Sequence, residues 1–443
     1  MPDRRRIAAW LLALPLALAA CGEAPITNLV IVSIDTLRPD VLEAYGQPRP
    51  TSPAILAFAR DGLVAEIAVS PSPWTLPAHA SLLTGLYPTR HGVSSLVVGL
   101  PAQAQTLAER LSAAGFRTAA IVNSQYLSER YGWRRGFDEY EYVEETPSDS
   151  EPTAVHARAL EWLERSSAEP FFLFLHYYDV HSDYRSLPRY EQELLRPYRG
   201  RTNGRTRQLL LYERGEFRLR PRDARHLLDR YAAGVRQMDD GVAALLAAIE
   251  ARGLAPRTLV ILTSDHGEEF LEHGGVLHGR TLYDEVVRVP LILRGPGVPA
   301  GRRLPGPASL VDVVPTALSL LGLPVPDGLD GVDLSRHFEA GIPRDRSVFS
   351  EADQRNQRTD SLRAVRRGDW KLVLDRFTGR LALYDLAGDP GERVDVSAAQ
   401  PERVRELRAE IEAFMAQPPV GKPPVVAEFD AEEIEALRAL GYL

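Results

Sequence analysis

The sequence predicts an α/β fold: a central, mostly parallel sheet covered by helices on both faces, followed by a small C-terminal α+β subdomain. Three observations lead there. Short β-branched runs alternate with segments of helical period. Polar residues stand where those runs end, as ligand-binding residues do in open α/β sheets. After about Arg346 the texture changes to short strands and a helix.

In chain order, the first segment lies outside the fold. Arg4, Arg5 and Arg6 form a basic stretch, Ile7 to Ala19 an apolar one, and Leu18-Ala19-Ala20-Cys21 follows. That order reads as an export signal over residues 1–20. The four residues ending in Cys21 resemble a bacterial lipoprotein lipobox, which implies cleavage before Cys21 and lipid on its sulfur. Residues 21–27 then form the anchor and tether, and the chain is expected on a bacterial cell envelope. Cys21 is the only cysteine, so no intramolecular disulfide forms.

Asn28 to Ile34 (NLVIVSI) reads as a buried strand, and Arg117–Val122, Phe171–Leu175, Thr258–Thr263 and Val289–Leu293 read alike. From Leu227 to Ile249 apolar residues recur at helical spacing, and Gly253 stops that helix. Ser182 to Arg222 holds eleven arginines without a clear period and reads as an excursion over the site. Its sign is opposite to that of the whole chain, which suits it to an anionic glycan or lipid headgroup. The expected catalytic domain is 28–340. A subdomain of strands (LRAVRRGDWKLVLD, RLALYDL) and a helix (Glu402–Met415) covers 341–416. A Pro-rich hinge (PPVGKPP) and an amphipathic segment, Asp430–Leu440, fill 417–443.

Bulk properties exclude some partners. At 443 residues, 44% hydrophobic and 25% charged, the chain is ordinary for a globular protein. Its net charge of -8 argues against nucleic acid. Loss of residues 1–20, with three arginines and one aspartate, makes it -10. No later apolar run approaches the roughly 18 residues that span a bilayer.

Seven of the ten histidines (His79, His91, His176, His181, His266, His273 and His278) sit in four short polar segments. Divalent cations favour carboxylate and imidazole donors gathered from several strand ends. Three segments form the constellation. Ile34-Asp35-Thr36-Leu37-Arg38-Pro39-Asp40 runs from a strand into a loop that offers Asp35. In Trp74 to Gly85, Pro77 and Gly85 bracket a short helix with Thr75 at its N-terminus, where the helix dipole favours an alkoxide and an incoming anion. Thr263 to Glu269 ends a strand with Asp265 beside His266. Taken singly, each has an ordinary structural explanation as a turn or cap; together they are far more specific.

The motifs IDTLRPD, TLPAHASLLTGLYPTRHGV, DHGEEFLEHGG, LYDEVVRVPLILRGPG, SLVDVVPTALSLLGL and the terminal RRGDWKLV with LYDLAGDPGE resemble the sulfatase family of the alkaline phosphatase superfamily. The resemblance implies an alkaline-phosphatase-like three-layer sandwich with one divalent cation beside the nucleophile. Calcium follows from the family, with zinc, manganese or magnesium also compatible. Carried over, Asp35, Asp265 and His266 match metal ligands, and Thr75 matches the nucleophile, which also faces the metal. Thr36 replaces a second carboxylate. His181 matches a histidine at the transferred group or leaving group. His278 and Arg280 flank the place of a substrate-binding lysine.

The departures matter as much. The family's usual nucleophile is formylglycine made from Cys or Ser, and oxidised threonine would be a ketone, so no formylglycine is expected here. The family's arginine four residues on is His79, here counted with the catalytic set. Its lysine on the next strand is Asn123, a donor for a phosphoryl oxygen or a turn residue. Its later lysine is Gly279. Asp179 and His181 read as substrate-binding, with a second metal site as the alternative. Arg38 and His273 read as structural.

The reading is therefore a metal-dependent hydrolase of sulfuric, phosphoric or phosphonic esters that uses Thr75 directly, with phosphorus favoured chemically. Two alternatives stand beside it: a transferase moving a phospho-headgroup to a lipid or glycan, and a silent binding protein on the same fold. The expected partners are an anionic ester and, through the anchor, a membrane.

Overall fold

The computed structural model describes residues 26–144, 154–165, 169–353 and 361–426. The export signal, Cys21 and the segment Asp430–Leu440 lie outside them. Nine strands form the main sheet, with the path Arg302–Ser309, Leu63–Val69, Leu291–Arg294, Thr258–Thr263, Asn28–Ile34, Phe171–Tyr177, Arg117–Val122, Glu139–Tyr142. The short strand Arg288–Val289 pairs with Leu63–Val69 off this path.

Strand periodicity explains the layers. Along Asn28–Ile34, Leu29 and Ile31 enter one core with Leu259, Ile261, Phe172 and Phe174. Val30, Val32 and Ile34 enter the other with Val260, Leu262, Leu173 and Leu175. Every residue of this strand is buried, as expected where helices cover both faces. The helix Thr75–Thr84 packs on the first face through Leu76, Ala80, Leu82 and Leu83. The helix Pro221–Ala251 packs on the second through Leu227, Tyr231, Val235, Met238, Val242, Leu245 and Ile249. The three-layer expectation holds.

Three strands end side by side. Asn28–Ile34 runs parallel to Phe171–Tyr177 and to Thr258–Thr263, with Ser33 opposite both His176 and Thr263. Asp35, His176 and Asp265 therefore emerge at one carboxyl edge. No helix among the described residues is long and apolar enough to cross a membrane.

Two expectations are corrected. Val289–Leu293 is not one parallel strand. Pro290 has no N–H to give the ladder, so the run divides into Arg288–Val289 and Leu291–Arg294, both antiparallel to their neighbours. Ser182–Arg222 is not aperiodic throughout: Pro188–Leu194 and Thr206–Glu213 are short helices. The strand Arg302–Ser309 escapes a sequence reading because Pro305-Gly306-Pro307 resembles a loop, and the register shifts between Leu304 and Pro307.

The C-terminal sheet is antiparallel, in the order Ser347–Ala352, Leu362–Arg367, Trp370–Asp375, Leu381–Asp385. The helix Pro401–Met415 covers it through Leu407 and Ile411. Lys371, only 2% exposed, fixes this sheet to the main domain by reaching Asp284 and holds Glu392 of its own subdomain beside it, each at 2.9 Å. Arg366 adds a contact of 2.8 Å to Asp284. Removing one partner from such a buried network leaves charge uncompensated. Lys371→Met is therefore expected to lower unfolding free energy by about 3–5 kcal/mol in urea denaturation. A loss below about 1 kcal/mol would show that the network relaxes without cost.

Candidate active site

The local chain geometry follows from a few backbone requirements. Beyond the strand end, Asp35 N–H donates to Tyr177 O at 2.9 Å, and Thr36 turns into the left-handed region with φ 57°. A β-branched residue rarely sits there, which marks a strained turn. The turn is held from three sides. Thr36 N–H donates to Asp265 Oδ1 (3.3 Å), Leu37 N–H to Ser264 Oγ (2.9 Å), and Tyr231 OH to Thr36 O (2.6 Å). Thr75 opens its ten-residue helix after the extended Trp74, and Gly85 closes it with φ 73°. A side chain at Gly85 would need that left-handed φ and would meet Val314 Cβ at 3.2 Å.

Asp35, Thr36, Thr75, Asp265 and His266 are all fully buried. Thr75 Oγ1 lies 3.5 Å from Asp35 Oδ2 and 3.4 Å from His266 Nε2. His266 Nε2 is 3.2 Å from Asp265 Oδ2 and 3.6 Å from Asp35 Oδ1. His176 Nε2 joins at 3.2 Å from Asp35 Oδ2, and its Nδ1 faces Asn123 Oδ1 at 3.2 Å. Asp35, Asp265 and His266 thus bring donor atoms together as a metal site would, and His79, His176 and Asp265 form an overlapping group.

The electrostatics are unbalanced without a cation. Burial, then the charge of Asp265, raises the pKa of Asp35 well above the carboxylate range. Burial also works against charge on Asp265 and His266, but their contact wins: Asp265 is lowered and His266 is pushed up to about 9. Burial pushes His79 and His176 down to about 4 and His181 down to about 3, leaving all three neutral. Asp35 Oδ1, Asp265 Oδ2 and Thr36 Oγ1 are buried without a hydrogen bond among the described residues. Buried carboxylate oxygens left in this way suit a divalent cation.

Beyond the cluster, His181 stacks on Tyr178 with ring centroids 4.0 Å apart, and its Nε2 is 3.2 Å from Tyr178 OH. His278 packs against His266 (4.3 Å between rings) and His181 (5.0 Å), with its Nδ1 2.9 Å from Glu268 Oε1.

A sequence profile of the sulfatase family matches residues 27–323, about two thirds of the chain. The chain belongs to the sulfatase family. The ulvan-active sulfatase of Formosa agariphila is 27% identical over 70% of this chain, and the match spans 64% of that longer relative. Among solved structures, a 2-O GAG sulfatase has a TM-score of 0.74 at 21% identity, covering 88% of this chain and 92% of that one. The phosphonate monoester hydrolase of Agrobacterium radiobacter has a TM-score of 0.72 at 22% identity, covering 93% and 99%. These last two likenesses establish an alkaline-phosphatase-like fold.

Against this sulfatase frame, the sequence-derived residues divide clearly. Asp35, Thr36, Thr75, His79, Asp265 and His266 meet at one point, with Asn123 one step behind through His176. His79 does not occupy an arginine's place electrically: Ser33 Oγ holds its Nε2 at 3.0 Å and Thr75 O its Nδ1 at 2.9 Å. Arg280 stands apart, paired with Glu213 in an outer cleft and 38% exposed. Asp179 lies half-buried in the turn after its strand, where its charge adds to the burial that raises the pKa of Tyr177. Arg38 is structural as expected, bound to Asp40 at 2.8 Å and Glu272 at 2.7 Å. His273 contacts Glu285 at 2.6 Å and stacks on Tyr283.

Sequence reasoning assigned no role to His176, Ser33 or Glu268. His176 was visible as one of the clustered histidines at a strand end. Ser33 offered no such signal, because its proximity depends on strand register.

His266 yields a pH prediction for metal-free protein. Its folded pKa of about 9 exceeds the ordinary 6.5, so its stabilising contribution is full below about 6.5 and fades as pH rises through 9. The difference in urea midpoint between wild type and His266→Gln, both in chelator, should shrink across that window. A difference constant from pH 6 to 10 would contradict the assignment.

Proposed function

We propose that this chain is an ester hydrolase that attacks a tetrahedral sulfur or phosphorus centre with the Thr75 oxygen. The observation that carries the reading is the position of Thr75 Oγ1: at a helix N-terminus, 3.5 Å from Asp35 and 3.4 Å from His266. Asp35, Asp265 and His266 would hold a divalent cation, with Thr36 Oγ1 as a further oxygen. Such a cation supplies positive charge that favours the Thr75 alkoxide and an anionic ester.

The chain's own groups do the rest. Thr75 loses its proton towards Asp35 Oδ2, and its oxygen bonds to the central atom while the ester's alcohol oxygen leaves. His278 packs between His266 and His181, which puts both His181 and His278 within reach of a leaving group on that side of the cluster. Neutral through burial, His181 takes a proton from solvent more readily once an anion lies beside it, and gives that proton to the departing oxygen. Water then cleaves the Thr75 ester. Phosphorus is favoured over sulfur because a sulfo-threonine lacks the elimination route open to a formylglycine hydrate. His79 and Asn123 also offer no fixed positive charge where the family carries arginine and lysine.

Matched p-nitrophenyl sulfate, p-nitrophenyl phosphate and p-nitrophenyl phenylphosphonate test this with divalent metal present. Thr75→Ala should lose on the order of a thousandfold or more in kcat, while Thr75→Ser retains measurable turnover. Chelation should abolish activity, and added metal should restore it. Full activity in Thr75→Ala sinks the nucleophile, and robust turnover of the sulfate alone sinks the preference for phosphorus.

We also propose the lipid anchor at Cys21 on the lipobox resemblance. Full-length Cys21→Ala should move from the membrane fraction to the soluble one; unchanged fractionation would reject the anchor.

A further inference from the structure

His176 lies in the strand Phe171–Tyr177, opposite Ser33 of the neighbouring strand, and the hydrolase reading gives it no task. Its ring is fully buried. Nε2 lies 3.2 Å from Asp35 Oδ2, and His176 also shares a donor group with Asp265, their ligand atoms within 4.8 Å of each other. On the far side of the ring, Nδ1 faces Asn123 Oδ1 at 3.2 Å. A ligating histidine ordinarily gives its second N–H to such an acceptor, which fixes the ring and leaves the first nitrogen to the ion.

His79 is placed differently. Ser33 Oγ holds its Nε2 at 3.0 Å and Thr75 O its Nδ1 at 2.9 Å, so both nitrogens are engaged away from Asp35. Its ring packs edge-on against His176, with centroids 4.9 Å apart, and so backs the His176 ring.

Spacing and chemistry both bear on the ion. His176 to Asp35, His266 to Asp265, His266 to Asp35, and Thr75 to each of Asp35 and His266 are separated by 3.2–3.6 Å. Donors about 2.0–2.2 Å from one ion stand about 3.3–3.6 Å apart at tetrahedral angles. Calcium instead takes roughly six to eight oxygens. Asp265 Oδ1 is already occupied, accepting from the N–H groups of Thr36 (3.3 Å) and His266 (2.9 Å). The side-chain oxygens left in the cluster are those of Asp35, Asp265 Oδ2, Thr36 Oγ1 and Thr75 Oγ1, and they fall short of such a shell. Imidazoles fill the remaining directions.

We infer that His176 is a ligand of the ion beside Thr75, together with Asp35, Asp265 and His266. We infer also that this set takes a borderline transition-metal ion, zinc foremost, in preference to the calcium that the sulfatase resemblance implies. Two carboxylates and two imidazoles are the donor chemistry of zinc rather than of a hard cation. Thr36 brings a neutral oxygen to the centre, where a carboxylate would favour calcium. The inference rests on the hydrolase reading for the presence of an ion, and not on Thr75 as the nucleophile.

The mature chain, stripped with chelator, is dialysed against Zn2+ or Ca2+ and its bound metal measured, with Co2+ as a spectroscopic substitute for zinc. Wild type should bind Zn2+ about a hundredfold or more tighter than Ca2+. His176→Gln should weaken Zn2+ by about tenfold or more, leave Ca2+ within about threefold, and alter the visible spectrum of the Co2+ form. Asn123→Ala keeps His176 and removes only its outer contact, and should weaken Zn2+ about tenfold. Thr36→Asp should tighten Ca2+ about tenfold, and Asp enters a left-handed turn more readily than Thr. Thr75→Ala should keep the order of the two ions, so its turnover decides the nucleophile separately. Calcium bound as tightly as zinc in wild type overturns the inference. So does a His176→Gln variant with an unchanged Co2+ spectrum, or one that weakens both ions alike, as loss of a hydrogen bond to Asp35 alone would do.

Discussion

Asp35 and Asp265 are buried side by side at the ends of neighbouring parallel strands, and their mutual repulsion constrains everything around them. Burial first, and then the charge of Asp265, raises the pKa of Asp35 well above its ordinary value. Three features of the surroundings respond to it. His266 keeps a proton against the cost of burial. Thr36 takes a strained left-handed turn that aims its N–H at Asp265. The helix Thr75–Thr84 points its positive end into the same space. None removes the need for a cation, since among the described residues Asp35 Oδ1 and Asp265 Oδ2 face only the His266 ring and accept no hydrogen bond of good geometry.

That constraint also explains why the fold is a parallel sheet at this point. Adjacent parallel strands deliver their carboxyl ends to one edge, so Asp35, His176 and Asp265 converge without long connections. Antiparallel neighbours would alternate ends and scatter the set. The antiparallel pieces Arg288–Val289 and Leu291–Arg294 fall on the other side of Thr258–Thr263 from Asn28–Ile34, where they complete the sheet. The helix Pro221–Ala251 contributes Tyr231, whose hydroxyl holds the Thr36 turn while its ring belongs to the core. Packing and site geometry are thus joined through one side chain.

What was legible in the sequence follows the range of the physics involved. Asn28–Ile34 and Thr258–Thr263 could be read to the residue because both faces are buried and apolar runs are continuous. Thr75 at a helix start could be read from Pro77 and Gly85, which act locally. Arg302–Ser309 could not, because its pairing is imposed by Leu63–Val69 despite two prolines. The same division holds in the site. Asp35, Asp265 and His266 announce themselves beside strand ends, whereas Ser33 meets His79 only through folding, across 46 positions of chain. Arg280, close in sequence to His278, pairs with Glu213, whereas His278 Nδ1 meets Glu268, so neighbours in the chain take different partners.

The distribution of positive charge separates two tasks that a single fixed cation cannot perform together. Close to the reacting centre, His79 is neutral and doubly hydrogen-bonded, and Asn123 carries no charge. Stabilisation there depends on what Asp35, Asp265 and His266 bind and on the helix end at Thr75. Farther out, exposed arginines act over about a Debye length, near 8 Å at physiological salt, so they favour encounter and retention of an anion. Their contribution fades with ionic strength, whereas that of a buried cation site does not. On the proposed reading, the charge that matters at the reacting centre is the one Asp35, Asp265 and His266 would hold, and the exposed arginines add only a screened, long-range field.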